Sequence, residues 1–199
     1  MRFFERTHIY KEDWDTVTTA WWRKYPNPAA SHVKEIDTYH REMSDQGKFH
    51  TKRLFYLEYG LPAWIQKVFR IKMEGWATEE VECSRQDNVL IARGRNITFS
   101  SFFQMEEKIK YEQHPDNADW TIFSQRIDFH VLGWGLLGSK LETAARDNAE
   151  LKANSGLAVM ESVIQRIKEN EYAKKVPEKV DKSKCEIMNR ISFHPVDNR

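Results

Sequence analysis

Residues 102–112, Phe-Phe-Gln-Met-Glu-Glu-Lys-Ile-Lys-Tyr-Glu, carry the alternating pattern that decides the fold of this 199-residue chain. In a strand, one face would carry the apolar side chains Phe103, Met105, Ile109 and Tyr111. The opposite face would carry the polar side chains Gln104, Glu106, Lys108 and Lys110. A period of two residues is typical of a β-strand with one buried and one solvated face. The stretch therefore predicts an antiparallel sheet with one wet face.

Similar strand candidates lie on both sides of this stretch, and polar turns separate many of them. They are Phe3–Tyr10, Val33–Met43, Lys48–Glu58, Gly75–Ser84, Val89–Ser100 and Trp120–Leu132. Ser44-Asp45-Gln46-Gly47 fits a hairpin turn, with glycine where a positive φ is wanted. Together these segments predict about seven strands joined as a meander.

Two helices are predicted. Asp13 can cap a first helix that runs to about Lys24, with Trp14, Val17 and Trp21 on one face, and Tyr25-Pro26 must end it. A second helix would run from about Ser139 to Tyr172. Its middle is rich in small residues: Ala145, Ala149, Ala153, Ser155, Gly156 and Ala158.

Those small residues allow two arrangements of the long helix. They could leave space beneath a helix laid over a curved sheet, or they could let the helix pack closely on that sheet. Either way, the predicted fold class is α+β: a curved seven-stranded antiparallel sheet grips a long C-terminal helix and carries a short N-terminal helix.

Composition argues against several classes of protein. The formal charge is +1, from 31 Lys+Arg against 30 Asp+Glu, so no basic surplus suggests nucleic-acid binding. The two cysteines, Cys83 and Cys185, and the scattered histidines give no metal-ligand spacing. No apolar run is long enough for a transmembrane helix, and the first residues carry no signal-peptide pattern.

No catalytic residue or cofactor site is predicted either. Gly133-Trp134-Gly135-Leu136-Leu137-Gly138 matches a dinucleotide-binding pattern, but no second parallel strand follows, so the glycines more simply allow a sharp sheet-to-helix corner. The acids Glu79-Glu80 and Glu106-Glu107 alternate faces and are not expected to converge as an acid–base pair. The sequence thus indicates a protein that is not an enzyme.

One segment between two strands is longer than a turn requires and has membrane-interface character. Its aromatic anchor, apolar face and cations are Leu61, Pro62, Trp64, Ile65, Lys67, Val68, Phe69 and Arg70. Such a segment would contact an anionic membrane surface, where each cation contributes about 1 kcal/mol. An ordinary loop helix packed on the core remains the alternative.

A run of motifs across residues 1–170 resembles the PRELI-domain family (the PRELI and slowmo group). The matching residues are Lys24-Tyr25-Pro26-Asn27-Pro28, Ser31-His32-Val33, Arg53-Leu54, Gly60-Leu61-Pro62-x-Trp64, Asn96-Ile97-Thr98-Phe99, Glu106-Glu107-x-x-x-Tyr111 and His114-Pro115-Asp116. The resemblance implies a helix-grip fold of the START and phosphatidylinositol-transfer type, with a phospholipid cavity and with residues 61–70 as its lid.

The resemblance also implies where the protein works and with what. Family members act in the mitochondrial intermembrane space, bound to a small helical partner with twin cysteine motifs. They carry phosphatidic acid or phosphatidylserine between the outer and inner membranes, which feeds cardiolipin or phosphatidylethanolamine synthesis. A lipid-transfer domain at 1–172 and a charged flexible tail at 173–199 are expected.

A headgroup site is expected because a lipid cavity needs a cation for the phosphate. The hypothesis places Lys152 there, with Asn148 and Ser155 on the same helix face, alongside Lys24 or Arg53. Relatives have asparagine where this chain has Lys152, and some phosphatidic-acid carriers have lysine where it has Leu57. A solvated helix face is the alternative for Lys152.

Three other functions remain open. The protein could carry another lipid, a sterol or a fatty acid, or it could be an interaction scaffold without a ligand. An enzyme on the same fold would need a His, Asp or Glu pair that projects into the cavity.

Overall fold

The computed structural model describes residues 1–59, 74–133 and 135–175, with side chains as far as residue 170. The predicted lid, Leu61–Arg70, lies outside the described residues. The described elements are β1 (Arg2–Tyr10), α1 (Trp14–Arg23), a short 3-10 helix (Pro28–Ala30), β2 (Val33–Met43), β3 (Lys48–Glu58), β4 (Glu74–Ser84), β5 (Val89–Asn96), β6 (Phe103–His114), β7 (Asn117–Val131) and α2 (Gly135–Lys175). They confirm the predicted α+β class.

Over residues 1–59 and 74–133, the sheet has seven antiparallel strands in the order β1-β7-β6-β5-β4-β3-β2. From β2 to β7, each strand pairs with its neighbour in sequence, as a meander requires. β1 instead pairs with β7, so that Arg2 faces Phe129 and Tyr10 faces Thr121. The register of β2 against β3 shifts twice, and such bulges bend a strand. The result is the predicted curved sheet, with β1 and β2 at its edges.

The alternation on β6 is confirmed. Phe103, Ile109 and Tyr111 are buried on the concave face, whereas Gln104, Glu106 and Lys108 are exposed on the convex face. Glu107 also lies on the concave side, between Met105 and Ile109 in the inward series. A carboxyl group therefore lies among the apolar side chains that face the helix.

The N-terminal helix is capped as predicted. The Asp13 side chain accepts a hydrogen bond of 2.9 Å from the backbone N–H of Thr16. Trp14, Val17 and Trp21 are buried, and the indole N–H of Trp14 donates to the carbonyl oxygen of Tyr111. These contacts pack α1 against the concave face of β6.

Two apolar clusters hold the helix α2 to the sheet. One contains α1, the middle of the sheet and the later part of α2, through Val163, Ile164 and Ile167. The other contains Leu141 and Ala145, near the start of α2, packed with residues such as Phe103 and Phe129. The middle of α2 lies between these clusters.

The corner before α2 depends on two glycines, as the sequence predicts. Gly133 has a φ of +79° and Gly135 a φ of +51°, in the left-handed region that favours glycine. α2 begins at Gly135, four residues before the predicted start. Residues Met1–Ile167 form one compact unit, and a second unit begins at Lys168. Among the described helices, none has the length and apolar character needed to cross a bilayer.

Candidate ligand-binding cavity

A cavity of about 260 Å³ lies between the middle of α2 and the concave face of the sheet. The apolar part of its wall includes Phe55, Leu57, Phe103, Ile109, Phe123, Ile127, Phe129, Ala145, Ala149, Ala153 and Leu157. Five of the six small residues in the middle of the helix line this cavity: Ala145, Ala149, Ala153, Ser155 and Gly156. The small residues therefore leave space here, and close packing of the helix middle on the sheet is wrong.

Four basic residues line the same cavity, and one of them, Arg95 on β5, is exposed. Lys24 lies at the end of α1, His32 just before β2, and Lys152 on α2. The Lys152 ammonium donates to the carbonyl oxygen of Glu58 at 3.1 Å, and the Lys24 ammonium lies 4.9 Å from the centre of the Tyr25 ring. Among the described residues, neither lysine has a carboxylate within ion-pair distance. Positive charge therefore faces an apolar cavity and could neutralise an anionic ligand.

His32 was not singled out from the sequence, where the scattered histidines give no metal-ligand spacing. The pKa of His32 is lowered to about 4, mainly by burial and additionally by the positive charges of Lys152 and Lys24. The imidazole is therefore neutral near pH 7 and can donate or accept a hydrogen bond at the cavity wall. The sequence signal that could have identified His32 is its position in Ser31-His32-Val33, one of the motifs that resemble the PRELI-domain family.

The pH dependence of stability should report on His32. The unfolded chain takes up a proton near pH 6.5, whereas folded His32 does so near pH 4. The unfolding free energy contributed by this group should therefore fall as pH falls from about 6.5 to about 4. Urea unfolding across this range should show a shallower decline for His32→Gln than for the wild type. The control is His40→Gln, at a side chain that is 42% exposed. Parallel curves for His32→Gln and the wild type would contradict the assignment.

Three glutamates also line the cavity: Glu58 at the end of β3, Glu79 on β4 and Glu107 on β6. The sequence placed Glu79-Glu80 and Glu106-Glu107 on alternating faces, and one member of each pair, Glu79 and Glu107, faces inward. The Arg53 guanidinium donates through Nε to Glu79 at 2.7 Å, and the Gln125 amide donates to Glu107 at 2.6 Å. The expectation that these acids do not share a site is therefore corrected.

The predicted headgroup residues do not all meet in one place. Lys24, Asn148, Lys152 and Ser155 line the cavity together. Arg53 does not line it. Arg53 borders a second cleft, of about 550 Å³, and its guanidinium lies 4.3 Å from the centre of the Trp21 ring. Arg53 forms an ion pair with Glu79, and Glu79 lines the cavity, so Arg53 lies behind the cavity wall.

Comparison with known proteins identifies the family. The model of the PRELI-like family matches residues 15–171. The chain belongs to the PRELI-like family. The predicted resemblance is thus confirmed over most of this PRELI-like chain.

Curated relatives of this PRELI-like protein come from several eukaryotes. A UPS-like protein of Schizosaccharomyces pombe is 30% identical over 168 residues, which cover 84% of this chain and 91% of the relative. The protein named UPS2, mitochondrial, of Saccharomyces cerevisiae is 30% identical over 173 residues, 85% of this chain and 75% of the relative. A slowmo homologue of Dictyostelium discoideum is 27% identical over 161 residues, 80% and 70% of the two chains.

Solved structures share the fold of this PRELI-like protein at low sequence identity. The Zhui aromatase/cyclase of Streptomyces sp. R1128 superposes with a TM-score of 0.56 at 12% identity, covering 83% of this chain and 95% of that one. A START superfamily protein of Mycobacterium smegmatis has a TM-score of 0.50 at 15% identity, covering 81% and 98%. These likenesses confirm the predicted helix-grip, START-like fold.

Proposed function

We propose that this protein carries a phospholipid between membranes and catalyses no reaction. The observation that carries the proposal is an apolar cavity under α2 whose wall also presents Lys24, His32 and Lys152. An apolar wall suits acyl chains, and a cluster of basic groups suits a phosphate. Membership of the PRELI-like family supports the same role.

The energetics of lipid exchange explain why a carrier is needed. Two acyl chains hold about 30 methylenes, and exposing them to water would cost about 24 kcal/mol at 0.8 kcal/mol each. A closed apolar cavity removes most of that barrier. The volume of about 260 Å³ is just below the ~300–1,000 Å³ range of ordinary ligand pockets. Loading a two-chain lipid therefore requires the cavity to widen.

The segment Leu61–Arg70 is proposed as the lid that permits this loading. Its Trp64 would anchor in the membrane surface while Lys67 and Arg70 face anionic lipids. β3 ends at Glu58, and Glu58 lines the cavity, so the segment follows directly from the cavity wall.

The proposed cellular setting is the mitochondrial intermembrane space. There the protein would carry phosphatidic acid or phosphatidylserine between the outer and inner membranes, bound to a small helical protein with twin cysteine motifs. The name of the Saccharomyces relative supports the mitochondrial location. Residues 1–172 would form the lipid-transfer domain, and residues 173–199 a charged tail.

Mass spectrometry of lipid that co-purifies with the recombinant chain tests the proposal. The expected result is a phospholipid in near-stoichiometric amount. A sterol or fatty acid would replace the proposal with another lipid carrier. An empty protein that also transfers no lipid between liposomes would favour an interaction scaffold.

Charge reversal at Lys152 should impair transfer. Lys152→Glu is expected to lower the transfer rate of phosphatidic acid or phosphatidylserine by about 10–100-fold, because a hydrogen bond to a charged group contributes about 1.5–3 kcal/mol. Lys24→Glu should act similarly. Transfer of a fluorescent lipid from donor to acceptor liposomes measures the effect.

The matched control is Lys140→Glu, which reverses the charge of an exposed lysine on the same helix. This control should transfer lipid at close to the wild-type rate. Equal rates for Lys152→Glu and the wild type would remove Lys152 from the headgroup site.

A further inference from the structure

A row of charged and polar side chains crosses the concave face of the sheet beneath α2. Arg53 on β3 is paired in register with Glu79 on β4, Glu79 with Gly94 on β5, and Gly94 with Glu107 on β6. An added Cβ at Gly94 would lie 3.9 Å from Oε2 of Glu107. The missing side chain at Gly94 thus leaves room beside both carboxyl groups, on the floor of the cavity.

The two carboxyl groups differ in their partners. Glu79 forms an ion pair with Arg53, and both side chains are nearly buried, with 13% and 7% of their surface exposed. Within the described part of the chain, Glu107 has a single neutral donor, the Gln125 amide at Oε1. Among the described residues, no cation lies within ion-pair distance of Glu107 and no hydrogen bond reaches its Oε2. Glu107 is therefore the carboxyl group on this floor that still lacks a positively charged partner.

The environment of Glu107 makes the lack of a positively charged partner significant. Burial raises the pKa of Glu107, and the nearby charge of Glu79 raises it further, whereas the Gln125 hydrogen bond and the charge of Lys24 lower it. Glu107 nevertheless keeps accessible surface, and this surface faces the cavity that Glu107 lines. A buried carboxylate gains most from a cation that arrives with its own hydrogen-bond donors.

We propose that Glu107 selects the lipid headgroup by receiving the ammonium group of an amine-bearing phospholipid. This inference rests on the proposed carrier function. The phosphate of such a lipid binds near Lys24, whose positive charge acts on Glu107. The ammonium of the same lipid binds Oε2 of Glu107. Phosphate and ammonium are only a few bonds apart in these headgroups, so both groups fit one site.

The same geometry disfavours headgroups that carry only negative charge. Such a headgroup would be attracted by Lys24 and Lys152 but repelled by Glu107, and no group of the ligand would satisfy Oε2. Specificity then comes from a repulsive element as well as an attractive one.

The experiment compares lipids that differ in the ammonium group but share their acyl chains. Phosphatidylserine and phosphatidylglycerol both carry a net charge of about −1 at pH 7.5, yet only the first has an ammonium. The wild-type protein should transfer phosphatidylserine about tenfold faster from mixed donor liposomes, as expected for one charge-assisted hydrogen bond. Phosphatidylethanolamine should likewise be preferred over phosphatidic acid.

The nearly isosteric variant Glu107→Gln should remove most of this preference while it continues to transfer lipid. Glu106→Gln is the matched control, because Glu106 is the adjacent residue on the same strand and its side chain is exposed on the convex face. Glu106→Gln should keep the wild-type ratio of phosphatidylserine to phosphatidylglycerol.

Three results would overturn the inference, and each is distinct from failure of the carrier function. The first is an unchanged ratio of phosphatidylserine to phosphatidylglycerol transfer in Glu107→Gln. The second is an equal decrease in the transfer rates of all four lipids in this variant, which would indicate a structural role of Glu107 through Gln125. If Glu107→Gln does not fold, equal transfer of the two lipids by the wild type would be decisive against the inference. A wild-type protein that transfers no phospholipid would instead contradict the proposed function.

Discussion

Replacement of Trp21 by alanine is expected to reduce the free energy of unfolding by about 3–5 kcal/mol, the usual effect of removing a large buried aromatic side chain. Trp21 is 0% exposed and belongs to the larger apolar cluster. Its ring lies 4.7 Å from that of Trp22 and 4.3 Å from the Arg53 guanidinium, so the variant also loses aromatic and cation–π contacts. Urea unfolding followed by circular dichroism measures the change.

Trp76→Ala is the control for this prediction. Trp76 is 39% exposed and has an aromatic neighbour in Tyr56, at 5.0 Å between ring centres. Its removal should reduce the unfolding free energy by only about 1 kcal/mol. Equal losses for the two variants would show that α1 does not anchor the core.

Replacement of Arg53 by methionine should reduce the free energy of unfolding by about 3–5 kcal/mol, because the charge of Glu79 is left buried without its partner. The double variant Arg53→Met, Glu79→Leu removes both charges and should recover much of the loss. Urea unfolding of the two variants and the wild type gives the comparison.

The neighbouring pair supplies a matched control. Lys52 and Glu80 form the next register pair on the same two strands, but their side chains are 47% and 58% exposed. Lys52→Met should therefore change the unfolding free energy by no more than about 1 kcal/mol. If Arg53→Met left stability unchanged and abolished lipid transfer, Arg53 would be a headgroup residue, as the sequence first suggested.

The architecture could be predicted from the sequence because its signals are local. The alternation of β6 and the cap at Asp13 act over a few residues, and both are confirmed. The boundaries were less accurate where pairing decides them. β7 begins at Asn117 rather than Trp120, because His114 and Asn117 face each other across a turn of only two residues.

The site was predicted only in part, for reasons of geometry. Lys24 was expected from the family-like motif and Lys152 from its position on the long helix; both line the cavity, and their role at a headgroup stays a prediction. Glu79 and Glu107 were missed because alternation shows that one member of each acidic pair faces inward but not that the two inward members align. That alignment follows from the register across Gly94, which three separate strands set together.

The pairing of β1 with β7 has a consequence for synthesis on the ribosome. β1 leaves the ribosome early, yet its partner at Asn117–Val131 is more than a hundred residues further along the chain. At about 5–20 residues per second, the delay before β1 can dock is on the order of 10 s. Throughout that interval β1 has unpaired backbone groups, a recognised hazard for aggregation. The nascent chain would therefore benefit from chaperone protection until the last strand emerges.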